Sequence, residues 1–169
     1  NLSNTNIVYP AGHIINTWRY VKPFTSLKDY VPSTTFSTVD FGGTDEAIKI
    51  TGISATAGNW LYMSGSGFAV HAIDDLTYQV DVGFIIDGSK FSTSGTFYGL
   101  GLEDGGGTGR PSQTVSPSLS WIYTVPSSFT NKEISVGAKK EGGSGTFKIR
   151  SLGYGASWGV HLTIFEIQQ

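Results

Sequence analysis

The chain has 169 residues, no cysteine, 14% charged residues and a formal net charge of −2. A chain of this length fits one domain burying on the order of 70% of its unfolded surface. Neither a disulfide framework nor a thiolate metal site is open to it. The sparse, slightly acidic charge argues against a partner held by phosphate neutralisation. No uncharged stretch approaches the roughly 20 apolar residues of a membrane span.

The opening Asn1-Leu2-Ser3-Asn4-Thr5-Asn6 lacks a basic segment followed by an apolar one. It reads as the start of an excised or processed piece, with residues 1–10 a linker or stalk remnant and 11–169 a single domain. Apolar positions at helical spacing are nearly absent, whereas period-two alternation recurs throughout. Strands are expected over Gly12 to Val21, Ala47 to Ile53, Trp60 to Met63 and Gly67 to Ile73. The clearest runs from Leu76 to Ile86, where Val82 and Phe84 should face the core and Asp81 the other side. Further strands are expected over Thr96 to Leu102, Leu119 to Val125, Ile134 to Lys139 and Thr146 to Leu152.

The segments between them carry turn chemistry. Ala57-Gly58-Asn59, Asp87-Gly88-Ser89, Asp104-Gly105-Gly106-Gly107 and Glu141-Gly142-Gly143-Ser144-Gly145 offer the positive φ angles that hairpins use. Pro23 and Pro32 bracket a long connection. About ten strands in this arrangement predict an all-β fold, an antiparallel β-sandwich of jelly-roll type.

The last strand, Val160 to Gln169, is unusual. Val160, Leu162 and Ile164 form one apolar face, and Phe165 and Ile167 make the end of the opposite face apolar too. A surface strand of an isolated sandwich is apolar on one side only. Covering the second face calls for another surface, and in a short all-β domain a second copy of the chain fits best.

Tyr9-Pro10-Ala11-Gly12-His13-Ile14-Ile15-Asn16 resembles an entry strand of phage structural proteins, especially tail-fibre-like proteins of marine phages. Phe36 to Asp40 and Ile48 to Thr51 resemble the strand pair that follows, and Gly159 to Ile167 resembles the closing strand. That group is similar in turn to the tumour-necrosis-factor-like jelly roll of complement-type head domains. The resemblance implies a homotrimeric head at a virion surface, with His161, Phe165 and Ile167 in the contact around the threefold axis. It also implies a role in host attachment without catalysis. The stretch from Gly95 to Ser128 departs most from the group's pattern.

Several local patterns invite chemistry. Gly155-Ala156-Ser157-Trp158-Gly159 matches G-x-S-x-G, but a nucleophile elbow leads from strand to helix, and a strand follows here. His13, His71 and His161 make no two-ligand spacing; His13 or His161 would form a metal site only if three copies met on an axis. Asp74-Asp75 and Asp104-Gly105-Gly106-Gly107 lack the alternating spacing of a calcium loop. No cofactor is expected. Ligand contact is expected at the loops, where Tyr154 and Trp158 offer rigid aromatic surface, joined by Asp104 and Arg110 of the Gly-rich loop. The competing assignments are a β-sandwich enzyme acting on polysaccharide, which needs two facing carboxylates, and a capsid or decoration protein.

Overall fold

A computed structural model of the chain describes residues 10–73, 78–90, 113–116, 119–143, 146–152 and 159–169. Among them are thirteen strands and no helix. The fold is an all-β antiparallel sandwich. One sheet has the order β1 (Ile14–Pro23), β13 (Gly159–Ile167), β5 (Trp60–Ser66), β10 (Leu119–Thr124). Strands distant in sequence thus lie side by side, the interleaving that characterises a jelly roll.

A second sheet runs β3 (Ser37–Thr38), β11 (Phe129–Gly143), β7 (Tyr78–Ile86), β8 (Ser89–Lys90), with β4 (Lys49–Ala55) also on β11. A third has the order β2 (Asp29–Tyr30), β12 (Thr146–Ser151), β6 (Phe68–Ile73), β9 (Gln113–Val115).

The second and third sheets follow one another in the chain twice, β6 before β7 and β11 before β12. The β11–β7 ladder passes from Ile134↔Ile86 to Gly143↔Tyr78. The β12–β6 ladder runs from Thr146↔Ile73 to Ser151↔Phe68. Here the structure corrects one expectation. Of the turn expected at Glu141 to Gly145, the first three residues extend β11, while Ser144 and Gly145 lie outside the described residues; β12 pairs with β6 and β2. Ala57-Gly58-Asn59 likewise joins strands of different sheets, with the Asn59 amide donating to the Thr56 carbonyl at 3.2 Å. Asp87-Gly88 does close a two-residue hairpin, Ile86↔Ser89, with φ of 47° and 72° as a primed turn demands.

The core lies between the first and second sheets. Val160, Leu162 and Ile164 of β13 are fully buried with Leu61 and Met63 of β5. Facing them are Val80, Val82 and Phe84 of β7 and Ile134, Val136 and Ala138 of β11. Each of these side chains other than Ala138 contributes about 1.5–3 kcal/mol through removal from water. The layers meet closely at Gly65, where an added Cβ would stand 3.3 Å from Val136 Cγ2. Val82 and Phe84 point inward as their alternation predicts, and Asp81 is half-buried on the other face.

That other face of β7 is covered as well. Ile85 is buried against Phe36, and both press on Gly137, where a Cβ would come within 2.5 Å of each. Glycine at 137 is what lets these two side chains close over the back of the sheet.

Candidate functional site

β13 is central in its sheet, so its outward residues have neighbours on both sides. Residues directly opposite in an antiparallel ladder share a face. Phe165 is opposite Thr17 of β1 and Tyr62 of β5, and Tyr62 is opposite Ile122 of β10. Ile167 is opposite Ile14 and Trp60, and Trp60 is opposite Thr124. Two adjacent rows across four strands therefore bring Ile14, Trp60, Tyr62, Ile122, Phe165 and Ile167 together on the outer face. The Tyr62 and Phe165 rings stack with centroids 6.3 Å apart and planes inclined by 16°.

These side chains are not closed off from water. Ile14 is 54% exposed, Ile122 51% and Trp60 37%, while Tyr62, Phe165 and Ile167 are half-buried. The only other side chains in the two rows are Thr17 and Thr124, so this end of the sheet is apolar and uncharged. A contiguous patch of this kind is a candidate interaction surface, unlike scattered single exposed apolar residues.

A β-bulge creates the alignment. Between Ile14 and Asn16 the register shifts, so that two steps on β1 match one step on β13, from Ile167 to Glu166. A bulge of this kind re-aims side chains. Ile14 joins Ile167 on the outside, and Asn16, itself exposed at the sheet edge, reaches Glu166 with its side-chain amide.

Glu166 is the functional-looking residue that pattern reasoning missed. It continues the inward series of Val160, Leu162 and Ile164 and is 1% exposed. Its Oε1 accepts from the Thr56 amide at 2.9 Å and from Asn59 Nδ2 at 2.7 Å; its Oε2 accepts from Asn16 Nδ2 at 2.6 Å. The carboxylate thus ties β1 and the turn between sheets to β13, directly beneath the apolar rows. Its place at the next even position after Ile164 was the available signal.

Of the three residues expected at the axial contact, the structure groups two. Phe165 and Ile167 lie in the apolar rows. His161 faces the same way but stands beyond an intervening row of Arg19, Thr163, Ser64 and Ser120. It sits opposite Val21 and Ser66, with Nδ1 3.4 Å from Arg19 Nη2. His13 is at the opposite end of β13, where its carbonyl accepts from the Gln168 amide at 2.9 Å. The two histidines therefore belong to different ends of the face. Tyr154, Trp158, Asp104 and Arg110 lie outside the described residues.

No protein-family model matches the chain, and no curated protein matches it. Among solved structures, the infectious bursal disease virus VP2 subviral particle is similar over 97% of this chain and 44% of the other, with 14% identity and a TM-score of 0.33. The infectious bursal disease virus Gx strain structure matches over 99% and 41%, with 13% identity and a TM-score of 0.34. The Gt strain structure matches over 96% and 39%, with 14% identity and a TM-score of 0.33. The chain spans less than half the length of these viral chains, and a likeness at such TM-scores assigns no role.

Proposed function

We propose that the chain is a non-catalytic structural module of a virion: the homotrimeric head of a tail-fibre-like protein, attaching to a host-surface glycan or another virion protein. The observation that carries the reading is the uncharged apolar end of the β1–β13–β5–β10 sheet. An outer sheet face bearing Ile14, Trp60, Tyr62, Ile122, Phe165 and Ile167 is suited to burial. A surface without charge needs no complementary charge on its partner, so further copies of itself can cover it. The resemblance of residues 9–16, 36–40, 48–51 and 159–167 to tail-fibre-like proteins points the same way.

A sugar platform is the competing use of the same face, because Trp60 and the stacked pair offer flat aromatic surface. Its surroundings favour self-association. Three isoleucines and two threonines give a sugar ring little to hydrogen-bond, whereas they suit a dry contact between protein faces. Receptor contact by the assembled head is assigned to Tyr154, Trp158, Asp104 and Arg110. Three copies of a weak site would gain by multivalency.

Native mass measurement and sedimentation test the assembly. The wild type should be a trimer, and Ile122→Asp and Phe165→Asp should each give folded monomers, since three unpaired carboxylates would otherwise be buried around one axis. Ile122 is half exposed in the single chain, so its replacement leaves the monomer fold intact. A wild-type monomer, or an Ile122→Asp trimer with unchanged melting temperature, would overturn the reading. Loss of glycan or cell binding by a trimeric Tyr154→Ala, Trp158→Ala double variant tests the receptor assignment.

A further inference from the structure

The third sheet carries a second surface of different chemistry. On its outward face Asp29 of β2 is opposite Arg150 of β12, Arg150 is opposite Ala69 of β6, and Lys148 is opposite His71. Lys148 and Arg150 are two residues apart on one strand and so project from the same side. One carboxylate thus sits among two permanent cations and an imidazole.

Asp29 does not use up what surrounds it. Its Oδ1 accepts from Arg150 Nε at 2.7 Å, and its Oδ2 accepts from Arg150 Nη2 at 3.0 Å and from Lys148 Nζ at 3.2 Å. The carboxylate takes the Nε–Nη2 edge of the guanidinium. A planar fork cannot turn its Nη1 side to the same group, and an ammonium carries more protons than one acceptor consumes. Asp29 therefore pre-orients the two cations without neutralising both.

The three side chains retain between 23% and 27% of their exposure, so solvent and solutes reach them. Ala69 beside them is fully buried, and exposed Leu27 and Leu152 follow the hydrogen-bonded Lys28 and Ser151 just beyond the end of the β2–β12 ladder. The ensemble is a partly exposed group with net positive charge, flanked in the chain by two exposed leucines.

We infer that Lys148, Arg150 and His71 form a binding site for an oxyanion, a carboxylate or sulfate carried on a small ligand. Charge-assisted bonds from a pre-oriented guanidinium and ammonium are the strong kind, and the neighbouring Leu27 and Leu152 accommodate the ligand's apolar part. The electrostatics at His71 agree. Burial first, then the positive charges of Arg150 and Lys148, hold its imidazole below the ordinary histidine value, against the opposing pull of Asp29. An anion seated there would raise it again. The simpler assignment is that the cluster only pins β2 to β12. That assignment requires the ion pairs but predicts no ligand and a His71 titration indifferent to anions.

The experiment follows the His71 ring signals by NMR through a pH titration of the whole chain. Separate titrations add inorganic sulfate, sialyllactose as a carboxylate-bearing sugar, a sulfated disaccharide, and neutral lactose. The anionic probes should shift the His71 titration upward and lactose should not. A response to sulfate and the acidic sugars identifies a site for ligand-borne oxyanions, and a response to sulfate alone reduces it to a free inorganic anion site. Lys148→Ala should weaken binding by roughly tenfold, the loss of one charge-assisted bond. No response at about 10 mM of any anion, where even millimolar sites are filled, overturns the inference. Binding unchanged in Lys148→Ala does so too, by placing the site elsewhere.

Discussion

Asn59 Nδ2 lies 2.7 Å from Glu166 Oε1 in the interior of the sandwich. The bond joins the turn between two sheets to a strand that begins 100 residues after Asn59. Thr56 and Asn16 complete the shell, so every donor is neutral and the carboxylate supplies the only charge among the four partners.

Replacing Glu166 should therefore be costly whatever the replacement's hydrophobicity. Glu166→Leu suits the apolar series of β13 but leaves three donors without their acceptor, each costing about 1–3 kcal/mol where it stays buried. Glu166→Gln keeps the shape yet aims an amide N–H₂ at one or more of those donors. Denaturant unfolding should show a loss of at least about 2 kcal/mol for each. A Leu variant as stable as the wild type would show that the three bonds contribute nothing net.

Phe84→Ala should lower stability by about 3–5 kcal/mol, from lost burial and the cavity left between sheets. Phe84 is 5% exposed and opposite Val136 in the core. A near-neutral result in the same denaturation experiment would mean that the β7–β11 register is displaced by one residue, which would turn Phe84 outward.

Asp29 gives a pH dependence with a definite sign. The hydrogen bond from Arg150, aided by Lys148, holds its carboxyl at about 2, below its ordinary 3.8. A lowered folded-state value stabilises the fold above the unfolded value, and that contribution disappears as pH falls from about 4 toward 2. Thermal melts of wild type and Asp29→Asn should differ at about pH 6 and converge by about pH 2. A gap that persists at the acidic end would trace the effect to packing of the side chain, not its charge.

Much of the strand framework is legible in the sequence. Alternation locates β1, β4, β5, β6, β7, β10, β12 and β13 to within a few residues. It reports which way a side chain faces, however, and not which strand lies alongside. For that reason Ala57-Gly58-Asn59 reads equally well as a hairpin or as a passage between sheets. Gly142 and Gly143 read as a turn although Gln79 and Tyr78 pair with them in β11. The two-residue strands β2 and β3 are too short to show any period, and they exist because β12 and β11 offer them edges.

At the candidate face the apolar character of Phe165 and Ile167 was readable from β13 itself. The contributions of Ile14, Trp60, Tyr62 and Ile122 were not, because they arrive through pairing and one bulge. The Asp29–Lys148–Arg150 group was hidden for the same reason, Asp29 standing more than 100 residues before the other two in the chain.

The central place of β13 also sets an order of events during synthesis. Residues 159–167 are made long after β1 and β5, the strands between which they insert. Until they emerge, a nascent chain holds both of those strands with open edges, a state prone to pairing with other chains. Closure of the sandwich and completion of the Phe165 face then happen in one step, so the apolar rows exist only once the chain's own fold is finished.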